Sequence, residues 1–192
     1  QFKDGKITGA VVTFLDISDR RRKEAEIEYL SCHDLLTGLY NRRYFESESL
    51  RLDNASSLPL SVIYADINGL KLTNDIFGHQ AGDQLIKKSA EILVKACRKD
   101  DIVTRIGGDE FIVFLPRTSG AEAQTIVTRI KEGFKDARIE AIKCSISLGL
   151  ETRDELDQPI QEIFMNAENA MYRDKTNNRI SINKDIIDTI LD

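Results

Sequence analysis

The stretch RIGGDEFIVFLP, residues 105–116, sets two glycines and two neighbouring carboxylates directly before a run of apolar residues. A chain built this way turns sharply, presents Asp109 and Glu110 side by side, and enters a buried strand. A second apolar run, LSVIYADI, carries another carboxylate, Asp66, at its far end beside Ile67. If the two runs are neighbours in one sheet, three carboxylates converge on a single edge. Hard oxygen ligands at that density suit Mg²⁺, which binds through one or two carboxylates and keeps water and substrate phosphates as its other ligands. Two such ions roughly 3.5 to 4 Å apart can hold the attacking and leaving oxygens of an in-line phosphoryl displacement. Each half of this pattern also has a plain structural reading, because strand-end aspartates are common and acidic turns are ordinarily solvated surface.

The segment after Asp66, INGLKLTNDIFGHQAGDQL, reads as a polar, Gly-bearing loop. Asn68 and Gly69 suit a turn whose backbone N–H groups face an anion, and Lys71 places a positive charge beside them, so triphosphate binding is the natural inference. Asn74 and Asp83 flank a Phe77-Gly78-His79 bend. A carboxylate accepting from the N1–H and exocyclic amine of guanine, with an amide reading its other polar atoms, discriminates against adenine, because the wrong base leaves buried polar groups unpaired. The same two residues can instead be helix caps, and His79 reads as a packing or capping residue. Lys175 and Arg179, four residues apart, either reach a β- or γ-phosphate or complement the C-terminus of their helix.

The elements that must position these groups follow from periodicity. LSVIYADI, DIVTRI and EFIVFLP read as strands, the last two joined as a hairpin by the glycine turn. DLLTGLYNRRYFESESLRL reads as a turn and then a helix; GDQLIKKSAEILVKACR, GAEAQTIVTRIKEGF and IQEIFMNAENAMYRDK read as helices, and IKCSISLGL and a short RISI as strands. The order β-α-β-β-α-β predicts an α+β fold with a palm or ferredoxin-like core, a mixed, mostly antiparallel sheet flanked by helices. Upstream, an Asp4-Gly5 turn and the β-formers Val11–Leu15 resemble the last hairpin of a preceding domain. Ser18 or Asp19 can cap the next helix, where Arg20 and Glu24, and Arg22 and Glu26, stand four apart. Its sparse apolar stripe, Ile27 and Leu30, suits either a solvated connector or a linker pairing with a second copy. NKDIIDTILD begins a further amphipathic helix. The expected organisation is an upstream remnant at 1–17, a linker helix at 18–33, a main domain at 34–182 and the start of another linker at 183–192.

The 192 residues are 41% hydrophobic with a formal net charge of -5 and a pI of about 5.2. That balance argues against a nucleic-acid polymer or an anionic membrane as partner, since both attract an excess of Lys and Arg. Metal ions would let an acidic protein bind triphosphates nonetheless. Cys32, Cys97 and Cys144 are odd in number and widely spaced, which fits neither a zinc site nor a disulfide framework and points to a reducing cytoplasm. No apolar run approaches the ~20 residues needed to cross a bilayer, so no membrane contact is expected of this segment.

DLLTGLYNRR, YADINGLKLTNDIFGHQAGDQL, RIGGDEF, SISLG and NAENAMYRDKTNNR occur in that order from Asp34 to Arg179. Together they resemble the GGDEF domain of the diguanylate cyclase family, whose fold is like that of nucleotidyl cyclases. The resemblance implies condensation of two GTP molecules into cyclic di-GMP with release of two pyrophosphates. It implies two Mg²⁺ or Mn²⁺ ions per site on Asp66, Asp109, Glu110 and the Ile67 carbonyl, with Glu110 holding the second metal or drawing the proton from the attacking 3′-hydroxyl. Asn74 and Asp83 match guanine readers, and Lys71, Lys175 and Arg179 match phosphate contacts. Gly107 and Gly108 would let nucleotide and backbone approach closely. RKDD, Arg98 to Asp101, stands where the family carries its RxxD product-inhibition motif. A homodimer is implied, because each protomer would hold one GTP. Departures are Asn68, Gly69 and Asn178, where the family often has aspartate, an aromatic and glycine. GAVVTFLDISDRRRKEAE resembles the end of a PAS sensor domain. The alternative is a catalytically silent module that binds GTP or cyclic di-GMP.

Overall fold

The computed structural model describes the backbone of residues 2–3, 6–7, 16–139 and 142–191 and the side chains of 16–139 and 143–177. The chain divides into two units, Gln1–Ser31 and Cys32–Asp192. In the first, β1 (Phe2–Lys3) pairs antiparallel with β2 (Lys6–Ile7). The predicted turn at Asp4-Gly5 and strand at Val11–Leu15 lie outside the described residues. Helix α1 (Ser18–Cys32) follows, with no buried side chain. Asp16, rather than Ser18 or Asp19, satisfies its first free N–H, accepting from Ser18 at 2.9 Å. Arg20 and Glu24 pair as predicted at 2.7 Å, whereas Arg22 turns to Asp19 at 3.6 Å. Among the described residues no helix is long and apolar enough to cross a membrane.

The second unit runs through α2 (Arg42–Leu52), β3 (Leu60–Ile67), α3 (Leu70–Phe77), α4 (His79–Ala96), β4 (Ile102–Arg105), β5 (Glu110–Leu115), α5 (Gly120–Lys135), β6 (Arg138–Ile139), β7 (Ile142–Lys143), β8 (Ile146–Arg153) and α6 (Ile160–Leu191). The main sheet has the order β4-β5-β3-β8 with antiparallel neighbours, and a parallel bridge from Tyr40 to Thr104 at its edge. This is the α+β arrangement the element order predicts. All eight residues of β3 are buried because both faces of this central strand are covered. Ile63, Ala65 and Ile67 join Phe111, Val113 and residues of α4 and α5 in one apolar layer. Leu60, Val62 and Tyr64 join Ile112, Phe114 and residues of α2 and α6 in the other. The two-residue period of a strand therefore puts Asp66 on the α6 side.

Two expectations fail. The segment after Asp66 is largely helix rather than loop: Gly69, at φ 74°, starts α3, and Gly78, at φ 84°, separates it from α4. An eight-residue helix between two glycines is too short to declare itself by periodicity. RISI is not a strand either, since α6 continues unbroken to Leu191 and absorbs the separate helix expected in NKDIIDTILD. The strand preference of short β-branched runs is weak and set by context.

Candidate active site

The register of β3 on β5 sets Asp66 directly opposite Glu110. Directly opposed residues of an antiparallel pair point to the same face. Asp109 immediately precedes the strand, and its carbonyl accepts the Ile67 N–H at 2.9 Å, which ties the turn to the end of β3. The sequence-predicted meeting of Asp66 with the Asp109–Glu110 pair is thus present in the backbone. Asp66 is only 6% exposed. Burial pushes its carboxyl above the ordinary value, the hydrogen bond and charge of Lys175 pull it back in part, and the charges of Asp109 and Glu110 add to the rise.

Both strand carboxylates already have protein partners. Lys175 donates to Asp66 Oδ1 at 2.7 Å, and the Tyr64 hydroxyl donates to Glu110 Oε1 at 3.1 Å. Among the described residues no three His, Cys, Asp or Glu side chains are gathered as a group that could hold a metal ion. The donor chemistry suits a hard divalent cation, with two opposed carboxylates and a third beside them on one edge.

Lys175 owes its place to the docking of α6. A Cβ on Gly149 would overlap the Ala167 carbonyl oxygen and the Met171 nitrogen, so the helix backbone lies directly on β8. One residue before Lys175, Asp174 accepts from the Leu148 N–H at 3.0 Å and pairs with Lys131 at 3.5 Å. Lys175, which the sequence directs to a phosphate or a helix end, here pairs with Asp66. The Arg179 backbone lies in α6, and its side chain is outside the described residues.

Neither Gly107 nor Gly108 is among the positive-φ residues. A Cβ on Gly107 would stand 2.6 Å from Glu110 Oε2, whereas nothing lies within 4 Å of one on Gly108. Gly107 makes room for the carboxylate of its own turn, and Gly108 leaves the space above it open.

Asn74 and Asp83 lie inside α3 and α4, whose N-caps are Gly69 and Gly78. That position removes the capping alternative. A Cβ on Gly82 would overlap the Asn74 side-chain oxygen, so Asn74 rests on the first turn of α4 beside Asp83. Lys71 is exposed in the first turn of α3, and His79 is exposed at the start of α4. Asn68 is buried, its side chain accepting from Ser147 at 3.0 Å and its N–H donating to Ser145.

A clamp that sequence reasoning missed fixes the turn. Arg105 donates through Nε to Gly107 O at 3.1 Å, through Nη2 to Gly108 O at 2.9 Å, and through Nη1 to both oxygens of Asp34 at 3.0 and 3.1 Å. Asp34 also takes the Thr37 N–H and hydroxyl, and its carbonyl takes the Gly38 N–H, which folds the DLLTGL turn. One guanidinium thereby joins two turns 71 residues apart. The only sequence signal was an arginine two positions before the glycine pair, which names no partner.

The predicted product site lies elsewhere. Asp101 closes the turn after α4 by accepting the Arg98 N–H. Burial pushes the Asp101 carboxyl up, against the Arg98 hydrogen bond and the charges of Arg98 and Arg129. Arg129, on α5, is therefore a third charged neighbour that the spacing of RKDD did not disclose. Arg98, Asp101, Cys97, His33 and Tyr40 help line a surface recess of about 370 Å³.

Residues 31–181 match the family described as diguanylate cyclase, GGDEF domain. The chain belongs to this family. Among its relatives, the GGDEF chain is 32% identical over 168 residues to the diguanylate cyclase DgcM of Escherichia coli K12, covering 85% of this chain and 41% of DgcM. It is 30% identical over 183 residues to the probable diguanylate cyclase DgcE of the same organism, covering 92% of this chain and 17% of DgcE. The chain thus spans less than half the length of either relative. The crystal structure of the coiled coil and GGDEF domain of DgcB from Caulobacter crescentus, in complex with c-di-GMP, superposes with a TM-score of 0.76 at 22% identity, covering 84% of this chain and 89% of that one. That likeness establishes the shared fold of the GGDEF domain.

Proposed function

We propose that this GGDEF domain is an active diguanylate cyclase that condenses two GTP molecules into cyclic di-GMP and releases two pyrophosphates. The observation that carries the reading is Asp66 set opposite Glu110, with Asp109 beside them and Lys175 on the same edge. In this reading Asp66, Asp109 and the Ile67 carbonyl hold divalent cations, Mg²⁺ or Mn²⁺, two per site, with Glu110 either joining them or taking the proton of the 3′-hydroxyl. Bound there, the cations would neutralise charge on the triphosphate and favour attack at the α-phosphate. Asn74 and Asp83 read guanine. Gly69, Lys71, Lys175 and Arg179 serve the phosphates, Lys175 exchanging its carboxylate partner for a phosphate oxygen. Gly107 and Gly108 keep the turn thin where the nucleotide lies.

One GTP per domain makes a homodimer, at least a transient one, part of the reaction, and proximity supplies much of the rate. Arg98 and Asp101, with Arg129, form the product-inhibition site; the DgcB crystal contains c-di-GMP. The boundaries 1–17, 18–33, 34–182 and 183–192 are retained as the domain plan, with α1 as the linker to an upstream PAS sensor and the cytoplasm as the setting. Incubating the purified chain with GTP and Mg²⁺ or Mn²⁺ tests the reading. Release of pyrophosphate with cyclic di-GMP is expected; GTP binding without pyrophosphate would instead identify a silent binding module.

A further inference from the structure

Tyr64 reaches the site by the period of β3. It stands one pleat before Asp66 on the same face, opposite Ile112 on β5 and Gly149 on β8. The residue is 7% exposed and belongs to the apolar layer that includes Ile112, Phe114 and Met171. A phenolic hydroxyl in such a layer is costly unless it finds an acceptor. It finds Glu110 Oε1 at 3.1 Å. On its other side Oε2 occupies space that a Cβ on Gly107 would enter, at 2.6 Å, so the glycine leaves room for this orientation. The hydrogen bond from Tyr64 favours one orientation of the Glu110 carboxylate, and the bare backbone of Gly107 accommodates it.

We propose that Tyr64 is a positioning residue of the condensation reaction, holding one oxygen of Glu110 so that the other is presented to the reacting groups. The inference rests on Glu110 being an active-site carboxylate, as proposed above. Outer partners that orient a ligand or base in this way are typically worth about 10- to 100-fold in metal affinity or activity. A tyrosine that only filled space would be replaced by phenylalanine without effect, since the ring is retained and one hydroxyl is lost.

The test compares wild type with Tyr64→Phe in the whole chain. Three readouts are taken: melting temperature, steady-state GTP turnover, and Mn²⁺ affinity by electron paramagnetic resonance with 3′-deoxy-GTP, which cannot react. The melting temperature is expected to stay within about 2 °C and KM for GTP within about twofold, while kcat and Mn²⁺ affinity each fall about 10-fold. Gly107→Ala crowds the same carboxylate from the other side. It should reproduce the loss of kcat, and the double variant should be little slower than the slower single one, because both act through one orientation. Tyr64→Phe with wild-type kcat and Mn²⁺ affinity, in an enzyme that turns over GTP, overturns the inference alone. A lowered melting temperature with both values unchanged does the same and leaves Tyr64 a packing residue. A wild-type chain that neither turns over GTP nor binds Mn²⁺ with the analogue overturns the functional reading, and this inference with it.

Discussion

Replacing Arg105 by lysine keeps the positive charge and removes the fork. The guanidinium makes four hydrogen bonds, two to Asp34 and one each to the carbonyls of Gly107 and Gly108. A single ammonium can keep Asp34 or reach the turn, but it cannot span both. The Arg105 and Asp34 side chains are 13% and 24% exposed, so water replaces the lost contacts only in part. Hydrogen bonds to charged groups contribute roughly 1.5–3 kcal/mol each. Losing two at a partly wetted site therefore costs about 3 kcal/mol, or roughly 6–12 °C in melting temperature for a domain of this size. Freed from the clamp, the turn shifts Asp109 and Glu110, and a displacement of about 1 Å costs on the order of 100-fold in rate. Urea unfolding and GTP turnover read the two effects separately.

Asp34→Asn supplies the pH signature of the same clamp. Burial alone would raise the Asp34 carboxyl, but hydrogen bonds from Thr37 and Arg105 outweigh it and hold the group below its ordinary value. A depressed carboxyl stabilises the fold above its unfolded-state pKa, and that stability is lost as pH falls through the lower, folded-state value. The stability gap between wild type and Asp34→Asn should thus be full at pH 7 and close in strongly acid solution. An Arg105→Lys variant matching wild type in both urea midpoint and turnover would refute the reasoning.

Gly149→Ala should cost at least about 3 kcal/mol, because the new methyl meets helix backbone that cannot rotate away, and Lys175 should leave Asp66 with α6; thermal unfolding measures it. Arg98→Ala or Asp101→Ala should relieve product inhibition with little change in initial rate. Progress curves check this, and stalling at the wild-type product level would count against the site.

The sheet and its acidic edge were legible because near-continuous apolar runs with a carboxylate at or beside one end leave few other arrangements. LSVIYADI became β3 without a shift at either end, and Asp66 met Glu110 in register. The helix around Asn74 was not legible, since two glycines with left-handed φ bound a segment of only two turns. The clamp from Arg105 to Asp34 and the contact from Tyr64 to Glu110 join residues 71 and 46 positions apart, and local composition carries no trace of such pairings. The glycine pair was recognised for its place, but the fit of Gly107 to the Glu110 side chain is visible only in three dimensions. Gly107 yields to Glu110, and Gly108 alone leaves open space.

The central claim is that Asp66 and Glu110 act together on a guanosine triphosphate. Its most direct test is cyclic di-GMP formation from GTP and Mg²⁺ by wild type, Asp66→Ala and Glu110→Ala at equal concentrations of folded protein. The account predicts product from wild type and nearly none from either variant, since a lost metal contact removes several kcal/mol of transition-state stabilisation. Near wild-type turnover in both variants would contradict it.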